Sequence, residues 1–293
     1  MRKASRRKLH RLLESARLLP DTHTTPYPDK WNLSQAERYF LKTCYVAAGQ
    51  GVALRRNERQ ILRWKNAYHD RRCFIIGNGP SLRNTDLDLL RDEITIGVNS
   101  IFLSGFLPTH YVVEDIFVAE DRAAEIKALK GPTKWFGNHL KYCFDDDSAC
   151  WLNLRMRYNV EDPDFPTFST NAARQVWASG TVSYICMQLA YFFGCPSIYL
   201  VGFDHHYDIP SDAEKEGNMI TSASDDPNHF DPSYFGKGYR WHDPMVERME
   251  RGYVAARKNF ELAGRQIINA TVGGKLEVFP RVNFESLFTG RGK

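Results

Sequence analysis

The chain has 293 residues and a formal net charge of +4, with 43% hydrophobic and 25% charged residues. These proportions are typical of a globular protein, and the length allows one α/β domain with additions. No run of about 18 apolar residues occurs, so no transmembrane helix is predicted. The N-terminus lacks the apolar stretch of a secretory signal, which predicts a cytoplasmic protein.

The cysteines are scattered along the chain and include no CxxC pair. Several lie in apolar segments, which indicates reduced thiols and argues against a zinc knuckle. The six residues are Cys44, Cys73, Cys143, Cys150, Cys186 and Cys195.

The positive charge is concentrated in residues 1–20, which contain seven basic residues and one acid. Apolar side chains recur there at helical spacing, namely Leu9, Leu12, Leu13, Ala16 and Leu19. Such a basic amphipathic helix either contacts an anionic surface, at the inner face of the cytoplasmic membrane, or packs on its own domain. The rest of the chain has a net charge of −2, so nucleic acid is a poor candidate as a partner.

Residues 1–70 are predicted to form an N-terminal helical appendage. A linker over 20–28, with the sequence PDTHTTPYP, precedes a capping-box pattern at Ser34–Glu37. That pattern predicts a helix ending at about Gly49. A second helix is predicted over 52–68.

Residues 71–293 alternate short apolar runs with helical segments. Near-continuous apolar strands joined by helices predict a parallel sheet with helices on both faces. The strands are predicted at 73–77, 94–99, 110–116, 197–204 and 266–271, and the clearest helices at about 181–193 and 244–262. These runs end in glycine, asparagine or aspartate, namely at Gly77, Asn99, Asp115 and Asp204. They therefore place polar groups at the edge where doubly wound sheets bind ligands.

A polar segment at about 205–243 interrupts this alternation and contains DDPNHFDPSYFGKGYRWHDP. A segment of this length without a clear element is typical of a functional lid or a disordered loop. Its density of aromatic residues argues against plain disorder. We therefore predict a lid over the sheet edge.

Two glycine-containing turns are candidate anion sites. The turn Gly77-Asn78-Gly79-Pro80-Ser81 follows a strand, and a second turn, Ser179-Gly180-Thr181, precedes an apolar helix. Either turn can offer backbone N–H groups to an anion. Either can equally be a tight connection, with Ser179 or Thr181 capping the helix. Asn99 can contact a base or a ribose, or serve only as a turn residue.

Several side chains at the sheet edge and in the lid could carry chemistry. Glu114 and Asp115 end an apolar strand, where carboxylates are costly unless paired or bound to metal. A metal site at His205–His206 is disfavoured, since adjacent side chains on an extended chain point apart. In the lid, His229 and His242 are either structural or general bases, and tyrosines beside them, Tyr234 and Tyr239, could stabilise a leaving phosphate.

The ordered motifs of the chain resemble those of a known superfamily. The stretches IIGNGPSL, GVN, ASGTVSYICMQLAYFFG, IYLVGFDHHY and GYRWHDP occur in the order seen in bacterial sialyltransferase-like proteins. Two further stretches, HFDPSYFGKGYRWHDP and INATVGGKLEVFPRVNFESLF, resemble the 6-hydroxymethylpterin diphosphokinase-like branch. That branch includes polysaccharide-locus glycosyltransferases and motility accessory factors. The resemblance covers about 71–288.

The resemblance implies a Rossmann-like domain that binds CMP-sialic acid or a similar nucleotide-sugar donor without an essential cofactor or metal. By matching motifs, the turn at 77–81 and Asn99 contact the nucleotide, and the turn at 179–181 holds the donor. Gly202 and Asp204 line the cytidine pocket. The base is the histidine of a Tyr-x-x-His segment, here Tyr239 and His242, and Tyr234 supports the departing phosphate.

The resemblance implies an inverting glycosyltransferase that acts on a bacterial surface glycan or glycolipid acceptor. A homo-oligomer is compatible with this activity.

One departure from the sialyltransferase pattern leaves an alternative function open. Sialyltransferases have an amide where this chain has Glu114 and Asp115, whereas the pterin kinases have an acidic residue nearby and use magnesium. The alternative is a magnesium-dependent pyrophosphokinase acting with ATP on a pterin-like alcohol, with Asp115 holding the metal. A non-catalytic glycan-assembly protein of the same fold is a third possibility.

Overall fold

The computed structural model describes residues 34–156 and 165–289. The predicted basic helix in 1–20 and the linker at 20–28 lie outside the described residues. No helix in the described ranges is long and apolar enough to cross a bilayer.

The described chain alternates strands and helices, as predicted. The strands are β1 (Cys73–Ile76), β2 (Ile94–Val98), β3 (His110–Val113), β4 (Thr133–Gly137), β5 (Cys150–Leu152), β6 (Leu154–Arg155), β7 (Val176–Trp177), β8 (Ser197–Val201), β9 (Glu214–Glu216), β10 (Met219–Thr221), β11 (Arg240–His242) and β12 (Gln266–Asn269). The α-helices are α1 (Gln35–Gly49), α2 (Arg56–Leu62), α3 (Ile116–Asp121), α4 (Ala123–Ala128), α5 (Val182–Phe192) and α6 (Val246–Leu262). Short 3-10 helices include Pro80–Asn84.

Seven strands form a parallel sheet in the order β12-β8-β1-β2-β3-β4-β5. The predicted α/β, Rossmann-like class is confirmed, and all five predicted strands are present. The sequence analysis missed β4 and β5. The reason is that β4 begins with the polar pair Thr133 and Lys134, and β5 has only three residues, so neither shows a clear apolar run.

Successive side chains of β1 point to opposite faces of the sheet, so they pack alternately in two separate hydrophobic cores. Cys73 and Ile75 pack in one core with helices α1, α2, α5 and α6, whereas Phe74 and Ile76 pack in the other with α3 and α4. Helices therefore cover both faces of the sheet. Burial on both faces explains why β1 and β2 have no exposed residue.

The helix α5 is the buried central helix of the first core. Thr181 is its N-cap and accepts from the Ser183 N–H at 3.3 Å. All of its residues except Tyr191 are buried, which is the pattern of a helix enclosed on every side.

The second N-terminal helix is shorter than the predicted 52–68, so that prediction is wrong in extent. The chain leaves α2 after Leu62, and Asn66 has a positive φ of 56°. The N–H groups of Asn66 and Tyr68 then donate to the carbonyls of Phe192 and Phe193, at 3.0 and 2.8 Å. The two carbonyls lie at the end of α5 and would otherwise lack helical partners. Because the chain after Leu62 supplies these partners, it leaves helical geometry and α2 ends early.

The helix α2 also covers the outer edge of β5. The Asn57 side chain accepts from the Trp151 N–H at 2.8 Å and donates to the Trp151 carbonyl at 3.0 Å. Tyr45 on α1 donates to the same carbonyl at 2.8 Å. The amide of Asn57 therefore takes the place of a neighbouring strand.

The lid contains more regular structure than predicted. Strands β9, β10 and β11 form a small antiparallel sheet, so the expectation of a segment without elements is wrong. The chain between β10 and β11 folds back as a loop whose Phe230 N–H donates to the Asn78 carbonyl at 2.9 Å.

We expect Asn57→Ala to lower the free energy of unfolding by about 1–3 kcal/mol, because the buried Trp151 N–H loses its partner. Denaturation by urea measures the change. The control is Gln60→Ala on the same helix, whose hydrogen bond to the Asp147 carbonyl is exposed. We expect that variant to lose less than about 0.5 kcal/mol. Equal losses in both variants would contradict the role of Asn57.

Candidate active site

A cleft lies at the carboxyl edge of the sheet, where the strand order reverses. Strands β1 and β8 are neighbours in space but far apart in the chain, and the loops after them diverge to form the cleft. Ligands of open α/β sheets bind at such a switch point. The cleft has a volume of about 100 Å³. Its lining includes the ends of β1, β2 and β8, the start of α5 and part of the lid.

The structure brings many of the predicted site residues together in this cleft. The lining includes Gly77, Asn78, Gly79, Asn99, Thr181, Gly202, Asp204 and Tyr234. The remaining predicted residues do not line it, namely Pro80, Ser81, Ser179, Gly180, Tyr239 and His242.

The glycine turn after β1 already holds an anion, and that anion is the carboxylate of Asp204. The Ser81 N–H donates to it at 3.1 Å and the Ser81 hydroxyl at 2.7 Å. A Cβ at Gly79 would collide with this carboxylate. The glycine therefore makes room for Asp204. The turn is a closed connection between two strand ends.

The same close approach explains the other glycines of the two motifs. A Cβ on Gly77 would lie 2.5 Å from the Gly202 carbonyl oxygen. Gly202 itself has a φ of +73°, a conformation that favours glycine. The two strand-end loops thus pack backbone against backbone, with the Gly79 N–H donating to the Gly202 carbonyl at 3.0 Å.

The second predicted turn has a structural role at two of its three positions. The Ser179 side chain is fully buried and its hydroxyl donates to the Arg248 carbonyl at 2.8 Å. Gly180 has a φ of +78° and faces the Arg248 guanidinium, where a Cβ would collide. Thr181 caps α5 and lines the cleft.

Two buried amide oxygens face the cleft wall without hydrogen-bond partners among the described residues. They are Oδ1 of Asn78 and Oδ1 of Asn99. The Asn78 Nδ2 donates to the Val98 carbonyl at 3.0 Å and to the Tyr234 hydroxyl at 3.1 Å, which fixes its orientation. A buried acceptor without a partner costs roughly 1–3 kcal/mol, and a ligand donor such as a hydroxyl or an amino group would offset this.

His242 forms a pair with Asp115. Its Nδ1 lies 2.8 Å from the Asp115 Oδ2, and its ring stacks on Phe117 with centroids 4.4 Å apart. The other oxygen of Asp115 caps α3 and accepts from the N–H groups of Phe117 and Val118, at 2.7 and 3.3 Å. The helix therefore orients the carboxylate, and the carboxylate orients the imidazole.

The pKa values of this group are shifted by burial and by mutual charge. Burial opposes the charge on His242, but the hydrogen bond and charge of Asp115 outweigh it and raise the pKa of His242 above 6.5. Burial and the nearby Asp115 charge raise the pKa of Glu114 to about 7. Shifts of this kind, caused by burial together with a specific charge partner, are common at functional sites.

The pair lies close to the cleft. Burial raises the pKa of Tyr234 above its ordinary value, and the charge of Asp115 contributes to that increase. Asp115 follows β3, and β3 is the neighbour of β2, whose end carries Asn99. The Asp115–His242 pair and the cleft thus lie at neighbouring strand ends along one sheet edge.

Two arginine side chains connect the lid to the region of α3 and α4. Arg240 on β11 pairs with Glu120 at 3.0 Å and with Asp121, both at the end of α3. Arg122 donates to the Tyr234 carbonyl at 3.1 Å and covers the ring of Tyr239 at 4.0 Å. Tyr239 is therefore a packing partner of Arg122 in this structure.

The adjacent histidines after β8 bind different partners. His205 Nε2 lies 3.1 Å from Glu250, and His206 Nδ1 accepts from Lys275 at 3.2 Å. In the described part of the chain no three His, Cys, Asp or Glu side chains converge as a metal site. Asp115, the proposed magnesium ligand of the alternative function, accepts hydrogen bonds at both oxygens, from the start of α3 and from His242.

His229, which the sequence offered as either a structural residue or a general base, lines the cleft. Its Nδ1 lies 2.7 Å from Asp226, and its ring stacks on Tyr234 with centroids 3.9 Å apart. The spacing Asp-x-x-His in DDPNH was visible in the sequence. The placement of the pair in the cleft depends on the fold of the lid.

The raised pKa of His242 gives a direct test. By NMR we expect its imidazole to titrate above pH 6.5, and to titrate at a lower pH in Asp115→Asn, because the imidazolium loses its partner charge. The pair stabilises the fold fully below pH 6.5, and this stabilisation is lost as the pH rises through the raised pKa.

The control for this titration is Asp88→Asn, which alters an exposed ion pair with Arg91. It should leave the titration of His242 unchanged. If Asp115→Asn also leaves it unchanged, the pairing seen here does not control the protonation of His242.

The chain resembles known proteins in sequence and in structure. The sequence matches the family described as 6-hydroxymethylpterin diphosphokinase MptE-like over residues 53–210. A MAf glycosyltransferase from Magnetospirillum magneticum AMB-1 is similar in structure, with a TM-score of 0.43 and 14% identity, over 86% of this chain and 42% of that chain. The chain thus spans less than half of that protein's length. No curated protein shows significant similarity to the sequence. Because the family match extends over more than half of the chain, the protein belongs to the MptE-like family.

Proposed function

We propose that the protein is a glycosyltransferase that moves a sugar from a CMP-activated donor to a hydroxyl of a bacterial surface glycan or glycolipid. His242 is the general base. The observation that supports this most is the Asp115–His242 pair at the sheet edge, next to the cleft at the switch point. The order of the sequence motifs supports the choice of donor.

In the proposed reaction, the acceptor oxygen attacks the anomeric carbon of the donor sugar. The bond from that carbon to the phosphate oxygen breaks, and its electron pair leaves with the phosphate. His242 takes the proton of the acceptor hydroxyl on Nε2, since its Nδ1 faces Asp115 at 2.8 Å. Asp115 sets the orientation of the ring and stabilises the imidazolium that forms. A single displacement of this kind inverts the anomeric configuration.

The donor requires the lid to move. Ligand pockets commonly have volumes of roughly 300–1,000 Å³, whereas this cleft has about 100 Å³. The lid residues Asn228, His229 and Tyr234 occupy one side of it. Displacement of the loop that carries them would enlarge the cleft and expose the amide oxygens of Asn78 and Asn99 to the nucleotide. Closure would then exclude water from the donor.

The pyrophosphokinase remains the second candidate, favoured by the description of the family and by the adjacent carboxylates of Glu114 and Asp115. A test that separates the two functions is product analysis. Purified protein is incubated with CMP-sialic acid and a glycan acceptor, or with ATP, magnesium and a pterin alcohol. Release of CMP supports the transferase, and magnesium-dependent release of AMP supports the kinase. If nucleotides also cause no thermal shift, the chain is a non-catalytic member of the family.

We expect His242→Ala to lower kcat by about 10²- to 10⁴-fold, the usual contribution of a positioned base. Donor affinity should stay nearly unchanged, because the base acts on the acceptor. The control is His69→Ala, an exposed histidine whose Nδ1 lies 3.2 Å from the Asn66 carbonyl oxygen. Wild-type kcat in the His242 variant would exclude it as the base.

A further inference from the structure

In the arrangement of the lid that the structure shows, the loop between β10 and β11 holds His229 against the glycine turn. His229 lines the cleft together with Asn78 and Gly79. Its carbonyl accepts from the Arg83 side chain at 3.1 Å, and the next residue, Phe230, donates from its N–H to the Asn78 carbonyl at 2.9 Å. The backbone of His229 is therefore anchored to the segment that follows β1.

The His229 ring is held on its edge and on its face. Asp226, whose side chain is 3% exposed, lies 2.7 Å from Nδ1, and the ring stacks on Tyr234. The Asp226 carboxylate also accepts from the N–H groups of Asn228 and Phe235, at 2.7 and 3.0 Å. Because Nδ1 is directed at a buried carboxylate, Nε2 is the ring nitrogen that can form a hydrogen bond with a ligand.

Few side chains around the cleft can balance the charge of a bound anion. The residues that line it include no lysine or arginine, and they include the carboxylate of Asp204. Asp204 takes the N–H and the hydroxyl of Ser81, and the Gly79 N–H donates to the Gly202 carbonyl, so these donors of the glycine turn are already engaged. The side chains of the lining that can become cationic are His205, His206 and His229.

Two of these histidines are poorly suited to hold a ligand. His205 is directed at Glu250, and His206 lies at the rim, with its side chain 50% exposed, between Asp208 and Lys275. His229 differs because it is 15% exposed and its carboxylate partner is buried. A charge-assisted hydrogen bond is stronger when its geometry is fixed in this way.

We propose that His229, oriented by Asp226, is the residue that binds the phosphate of the nucleotide in the cleft. Nε2 donates to a phosphate oxygen, and the imidazolium balances the charge of the phosphate while the donor is bound and when it departs. The assignment rests on the proposed function in that the ligand is a nucleotide, but it does not depend on which base or sugar the nucleotide carries.

Calorimetric titration with a nucleotide and its nucleoside tests the proposal. The wild-type protein is titrated with CMP and with cytidine, and the two dissociation constants give a phosphate preference. In His229→Asn we expect the affinity for CMP to fall about 10- to 100-fold, the loss of one hydrogen bond to a charged group. The affinity for cytidine should be unchanged, so the preference should disappear.

Two further variants complete the design. His206→Asn removes another histidine of the same cleft and should keep the wild-type preference for CMP. Asp226→Asn should lower the preference in the same direction as His229→Asn, because the imidazolium loses its buried partner. Thermal unfolding of each variant verifies that the lid and the sheet remain folded.

The outcomes separate this proposal from the proposed function. If the wild-type protein binds ATP and adenosine but not CMP, the CMP donor fails, and the same variants test His229 with that nucleotide pair. A phosphate preference that persists in folded His229→Asn overturns the role of His229 and leaves the transferase standing. The absence of any preference for nucleotide over nucleoside in the wild-type protein overturns it as well.

Discussion

The hydrogen bonds between Asp204 and Ser81 join the ends of the two strands on which the cleft is built. Strands β1 and β8 are adjacent in the sheet, and the loops that leave them would separate without a link at their tips. The carboxylate takes the N–H and the hydroxyl of Ser81, and the glycines on either side let the two backbones touch. The contact therefore brings together the two strand ends that line the cleft.

The same contact changes the electrostatics expected of the site. A glycine turn before a helix normally offers a positive end to an external anion. Here an internal carboxylate satisfies the turn. A negatively charged ligand must therefore be balanced by other groups, and the imidazoles of the lid are the groups that the cleft provides. The structural glycine motif and the charge recognition are thus located on different segments of the chain.

Helix α3 performs a second joining role, between the sheet and the lid. Its N-cap Asp115 holds His242, and its last residues Glu120 and Asp121 hold Arg240, two positions earlier on β11. Side chains two apart on a strand point to the same side, so both contacts come from one face of β11. Helix α3 therefore couples the position of β11 in the lid to the orientation of the His242 imidazole.

Much of the fold was predictable, because burial on both faces makes β1, β2 and β8 largely apolar. The strand-end positions of Asn99, Asp115 and Asp204 followed from the same pattern. The pairing of Ser81 with Asp204 was not predictable, since the two residues are 123 positions apart and each motif alone resembles a ligand site. His229 was a candidate in the sequence, but its pairing with Asp226 was not predicted, since only the folded lid brings His229 to the cleft.

The contact of Asn57 with Trp151 bears on how the protein avoids self-association. A strand at the margin of a sheet carries unpaired backbone groups that can recruit a strand from another molecule. The side-chain amide of Asn57 and the hydroxyl of Tyr45 occupy those groups on β5. If α1 and α2 were detached, this margin would be open to intermolecular β-pairing. The helices before the sheet therefore protect the molecule against aggregation in addition to packing on its core.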